Sequence, residues 1–94
     1  MPKRWLHSDE QKELAQLLRD LRLAQRLSQG EVAQRLGRPQ TYISDLELGI
    51  RSGSLLQIRE LAAAYDLSFI AFVQELESRI EAQFATTARA PSKE

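Results

Sequence analysis

The sequence lacks cysteine altogether, which excludes disulfide bonds, thiolate zinc sites and a cysteine nucleophile. It has one histidine, His7, and a single imidazole without thiolates supplies too few ligands for a transition-metal site. His7 therefore reads as a solvent-exposed residue near the chain start, and no metal or other cofactor is expected. No apolar run approaches the ~20 residues needed to span a bilayer. The opening stretch MPKRWLHS lacks the apolar core of a signal peptide, so no membrane association and a cytoplasmic location are expected. No charge of one sign predominates: 13 basic residues face 13 acidic ones. A uniformly basic nucleic-acid-binding domain is thereby excluded. No window alternates with period two over strand length, which argues against β-structure and for an all-α chain.

What is present is the composition of an ordinary globular domain, 43% hydrophobic and 28% charged. At 94 residues one small core is expected, of a size at which self-association is a common way to bury more apolar surface. The charge is unevenly distributed. Seven arginines (19, 22, 26, 35, 38, 51 and 59) stand against Asp20, Glu31, Asp45 and Glu47 in the middle of the chain. From Glu60 onward the balance turns acidic. Such asymmetry separates a mildly basic face from an acidic one.

Five helical segments follow from periodicity and capping. The first spans about Asp9–Arg26, with Leu14, Leu17, Leu18, Leu21 and Leu27 at helical spacing and Ser8/Gln11 as a capping box. The second spans Gln29–Leu36, opened by the Ser28/Glu31 box and stopped by Gly37. The third spans Pro39–Leu48, with Ile43 and Leu46 facing inward and Gly49 as the stop. The fourth spans Leu55–Tyr65, with a Ser54/Gln57 box and Leu55, Ile58, Leu61 and Ala62 toward the core. Asp66 follows, where a left-handed residue is needed. The fifth spans Phe69–Phe84 behind the N-cap Ser68, with a wide apolar stripe including Phe72. The tail 85–94 is small and polar and is expected to be disordered.

Residues 29–48, QGEVAQRLGRPQTYISDLEL, meet the demands of a helix-turn-helix. Ala33 is small where the helices must cross closely. Gly37 is permissive in the turn. Val32, Leu36, Ile43 and Leu46 anchor both helices to a core.

With Arg22 and the runs LSQGEVAQRLG (27–37), TYISDLELGIR (41–51) and LLQIRELAAAYDLS (55–68), the chain resembles the lambda-repressor-like, or xenobiotic-response-element (XRE), family of helix-turn-helix regulators. The resemblance runs from about Leu17 to Glu75 and implies a five-helix lambda-repressor-like bundle with a long C-terminal helix. Carried over residue by residue, it implies phosphate contact and bracing by Gln29, base reading by Gln40, and a base or phosphate contact by Thr41. Ser44 and Asp45, one turn on, would face the groove. Tyr42 would reach the DNA backbone, and Arg38 and Arg51 would pair with phosphates. Glu47 and Arg22 would form a structural ion pair that orients the recognition helix. The chain departs from the family pattern at Asp45, an acid at a base-facing position, and at Gly53, where a proline is usual.

The expected organisation is an N-terminal arm (1–8), a DNA-binding domain (9–84) and the tail (85–94). The dimerisation helix covers 68–84. Phe69, Ile70, Val73, Leu76, Ile80 and Phe84 are the expected dimer interface, because a small domain leaves such a stripe partly uncovered. Trp5 in the arm would pack on the first helix. No catalytic constellation is found, so the chain is not expected to be an enzyme. The expected function is sequence-specific binding of double-stranded DNA as a homodimeric transcriptional repressor on a palindromic operator. Two other readings stay open: the DNA-binding antitoxin of a toxin–antitoxin pair, and a protein-interaction module that has lost DNA binding.

Overall fold

The computed structural model describes residues 8–92, with side chains described through 83. The N-terminal arm with Trp5 and His7, and the side chain of Phe84, lie outside the described residues. The described residues are helical apart from short connections, in the order α1 (Asp9–Ala24), α2 (Gln29–Leu36), α3 (Gln40–Leu48), α4 (Leu55–Ala64) and α5 (Phe69–Ser92).

Serine opens four of the five helices. The hydroxyls of Ser8, Ser28, Ser54 and Ser68 accept the N–H of Gln11, Glu31, Gln57 and Ala71 at 3.0–3.1 Å. Ser28/Glu31 and Ser54/Gln57 are complete capping boxes. At the start of α1 the Ser8 hydroxyl accepts the Gln11 N–H, and the Gln11 side-chain amide also donates to the Arg51 carbonyl at 3.5 Å. Each cap is worth about 1 kcal/mol, whereas each large apolar side chain withdrawn from water contributes roughly 1.5–3 kcal/mol. The core therefore decides the fold, and the caps decide where the helices start.

That core is one cluster. Leu17 and Leu18 of α1, Val32 and Ala33 of α2, Ile43 and Leu46 of α3, Ile58 and Leu61 of α4, and Tyr65 and Phe72 are all buried in it. Helix α1 packs on α3 and α5, α2 on α3, and α4 on α5. The arrangement holds α3 between the rest of the bundle and solvent.

Two local expectations are corrected. Helix α1 ends at Ala24 rather than Arg26, since Arg26 adopts the left-handed conformation (φ 58°). That conformation costs a non-glycine residue roughly 1–2 kcal/mol. It is held by Leu27, whose N–H returns to the Arg22 carbonyl at 3.2 Å and whose carbonyl accepts from Arg22 Nη1 at 2.8 Å. Leu55 does not join the core. It is 70% exposed, because the first turn of α4 stands at the rim of the bundle. Helix α5 runs past Phe84 to Ser92.

The departure at Gly53 has a physical reason. Its φ is +75°, which the proline ring forbids, and a Cβ there would meet Ile58 Cδ1 at 3.1 Å and Leu46 Cδ2 at 3.2 Å. Asp66 takes the left-handed conformation (φ 61°) expected of it.

Candidate nucleic-acid interface

The turn between α2 and α3 is built from one glycine and one proline. Gly37 is left-handed (φ 67°), and the Arg38 N–H closes a Schellman turn on the Ala33 carbonyl at 2.9 Å. Pro39 then caps α3 in an extended conformation. Helix α3 buries Tyr42, Ile43 and Leu46 and turns its other face outward. On that face Gln40 and Thr41 are exposed, and Ser44 and Asp45 are half-buried one turn later. Exposed Leu48 continues the same face.

A polar network ties this face to the bundle. Arg22 grips Glu47 through Nε at 2.7 Å and Nη2 at 3.0 Å. The side chains are 11% and 4% exposed, so the pair is buried. Gln29 Nε2 donates to Glu47 Oε1 at 3.0 Å, and Gln40 Nε2 donates to Gln29 Oε1 at 3.5 Å. The orientation of the Gln40 amide is thus linked, through Gln29, to a buried ion pair.

A second group flanks α3. The Arg38 guanidinium lies over the Tyr42 ring at 4.7 Å and that of Arg51 at 5.4 Å. Tyr42 itself is only 6% exposed. Burial holds its hydroxyl pKa above the ordinary value, and the hydroxyl has no hydrogen-bond partner. The ring, rather than the hydroxyl, is what Tyr42 presents: a surface on which two cations are held.

Compared with known protein families, residues 13–69 match the helix-turn-helix domain. The chain belongs to the helix-turn-helix domain family. The match is consistent with the lambda-repressor-like, XRE-type resemblance, and membership points to a DNA-binding regulator in a family that is typically non-enzymatic. No curated protein and no solved structure matches the chain. Among the described residues, no helix is long and apolar enough to cross a membrane. None of these residues forms a cluster of three or more metal-ligating side chains.

In this helix-turn-helix protein Gln29, Arg38, Gln40, Thr41, Ser44, Asp45 and Arg51 come together on and beside the outer face of α3. The α5 residues are divided. Ile70 is 72% and Val73 44% exposed, whereas Phe69 and Leu76 are half-buried against the core and Ile80 is half-buried. Phe69 stacks on the buried Phe72 at 6.2 Å. Sequence reasoning missed Leu55 and Leu56, 70% and 75% exposed, whose adjacency at a helix start is the available signal. It also missed Glu60, which reaches Arg38 across 22 residues and left no local trace.

Proposed function

We propose that this chain is a sequence-specific, double-stranded DNA-binding transcriptional repressor that acts as a homodimer on a palindromic operator. The observation that carries the reading is the outer face of α3. Gln40, Thr41, Ser44 and Asp45 share it, while the opposite face is locked into the core by Ile43 and Leu46. In a major groove such a face offers amide, hydroxyl and carboxylate groups to base edges. Gln40 suits adenine N6 and N7, and Asp45 suits cytosine N4. Arg38 and Arg51 flank the face and pair with phosphates, fixing register without reading sequence. Gln29 braces Gln40 and contacts phosphate, and Arg22–Glu47 holds α3 in its orientation. Tyr42 serves as the platform for the two arginines.

The homodimer is supported by an apolar groove of about 290 Å³ lined by Leu14, Leu55, Ile58, Phe69, Val73 and Leu76. Exposed Leu56 and Ile70 neighbour its lining residues in sequence. An exposed apolar groove marks an interaction site. For a dimer formed there to fill both half-sites of a palindrome, its two recognition helices must lie roughly 34 Å apart, one helical turn of DNA. Sedimentation at tens of micromolar tests this part: a dimer is expected for the native chain and a monomer for Ile70→Glu. A monomeric native chain would contradict it.

DNA binding is tested by titrating duplex across salt concentrations. Binding that weakens steeply with salt is expected, since each neutralised phosphate adds about 0.9 to the slope. No binding at low salt contradicts the reading and leaves a protein-interaction module.

A further inference from the structure

The two arginines that flank α3 are not in the same state. Arg51 is exposed beside Tyr42. Arg38 is already engaged: its Nη2 donates to Glu60 Oε1 on α4 at 3.3 Å. The Arg38 Nε is buried without a hydrogen-bond partner, and its guanidinium lies over the Tyr42 ring. An oxyanion must therefore approach by the Nη edge, where the Glu60 carboxylate sits. Both side chains are partly exposed, 33% for Arg38 and 43% for Glu60, so solvent and a second anion have access to the pair.

We propose that Glu60 is a built-in competitor for the DNA phosphate at Arg38, and thereby a specificity-determining residue that touches no base. The proposal rests on the DNA-binding reading above. In the free protein the carboxylate occupies the guanidinium edge, and a phosphodiester oxygen must displace it. An exposed ion pair is weak, so the competitor biases binding without blocking it. When every other contact is in register, a phosphate is presented to Arg38 at high effective concentration and the carboxylate gives way. On a duplex that is loosely engaged, the tethered carboxylate holds its place and Arg38 adds little. Arg51 then supplies its phosphate contact in both modes, and Arg38 chiefly in the well-docked one.

The test uses the full chain and a random-sequence duplex, titrated across salt concentrations. Glu60→Gln keeps the shape and removes the charge. It is expected to tighten binding by roughly two- to fivefold, the range of an exposed ion pair, and to steepen the salt slope by about 0.9, one additional phosphate. Glu77→Gln on α5 makes the same change in net charge away from Arg38 and is expected to do less on both counts. In an Arg38→Gln background, Glu60→Gln is expected to add nothing beyond that background charge effect. The proposal is overturned if Glu60→Gln and Glu77→Gln behave alike, or if the gain from Glu60→Gln persists without Arg38. Failure of every variant, and of the native chain, to bind duplex at low salt overturns the DNA-binding reading and this proposal together.

Discussion

Arg22 and Glu47 lie 25 residues apart in sequence and meet through two hydrogen bonds of 2.7 and 3.0 Å. The pair joins α1 to the end of α3. Its burial is compensated by further bonds: Arg22 also donates to the Leu27 carbonyl, and Glu47 also accepts from Gln29. A pair with this many satisfied partners positions a helix more than it stabilises a fold, because desolvating two charges offsets most of their attraction.

Breaking the pair and replacing it should therefore have opposite effects on stability. Glu47→Ala leaves a buried guanidinium uncompensated and is expected to destabilise by about 3–5 kcal/mol, read as a lower urea midpoint. The double variant Arg22→Met with Glu47→Leu is expected to recover native-like stability yet bind DNA weakly, since Gln29 has lost its anchor. Full affinity in the stable double variant would show that the pair does not orient α3.

Gln40 and Gln29 should act as a unit. Gln40→Ala is expected to weaken a preferred site by about 1–3 kcal/mol and relax one base position. Gln29→Ala frees the Gln40 amide and should blur the same position. Arg51→Ala, by contrast, should weaken all sequences alike and flatten the salt dependence. Binding titrations on single-base variants of a selected site check all three.

Tyr42→Phe separates ring from hydroxyl. The hydroxyl is buried without a partner, and such a group costs about 1–3 kcal/mol. The phenylalanine variant is expected to be at least as stable as the native chain and to retain DNA affinity, because the arginine platform survives. Thermal melts and a binding titration decide; a marked loss of affinity would return the hydroxyl to a direct role.

Acid sensitivity should trace to two carboxylates. The Ser28 N–H, donating at 2.7 Å, holds the Glu31 carboxyl below its ordinary value of 4.5. A hydrogen bond from Gln16, and then Arg79, hold Asp20 below its ordinary value of 3.8. Both groups are easier to ionise folded than unfolded. Their contributions are complete above those ordinary values and are lost as pH falls through the lower folded ones. Glu31→Gln preserves the capping box without a titrating group. Its melting temperature should fall less than that of the native chain as pH drops below 4.5.

The bounds of α2 were legible because both ends carry chemistry: a serine–glutamate box at one and glycine at the other. The end of α1 was not, because Arg26 takes a left-handed conformation that no glycine announces and that Arg22 and Leu27 enforce from elsewhere. Leu55 stands three residues before Ile58 and looks like its core neighbour, yet the rim position of α4 leaves it outside. Helical spacing marked the inward face of α3 through Ile43 and Leu46, and the resemblance to helix-turn-helix regulators named the residues opposite it. The resemblance also pointed to bracing by Gln29, but the arginine platform on Tyr42 and the Glu60–Arg38 pair could not be read, because they depend on how side chains and helices distant in sequence come to pack.

The measurement that bears most directly on sequence-specific DNA binding is selection of bound sequences from a random duplex pool. The expected result is an enriched palindrome whose half-sites lie about one helical turn, ~34 Å, apart, with positions that relax in Gln40→Ala. A pool that enriches nothing at low salt would contradict the central claim.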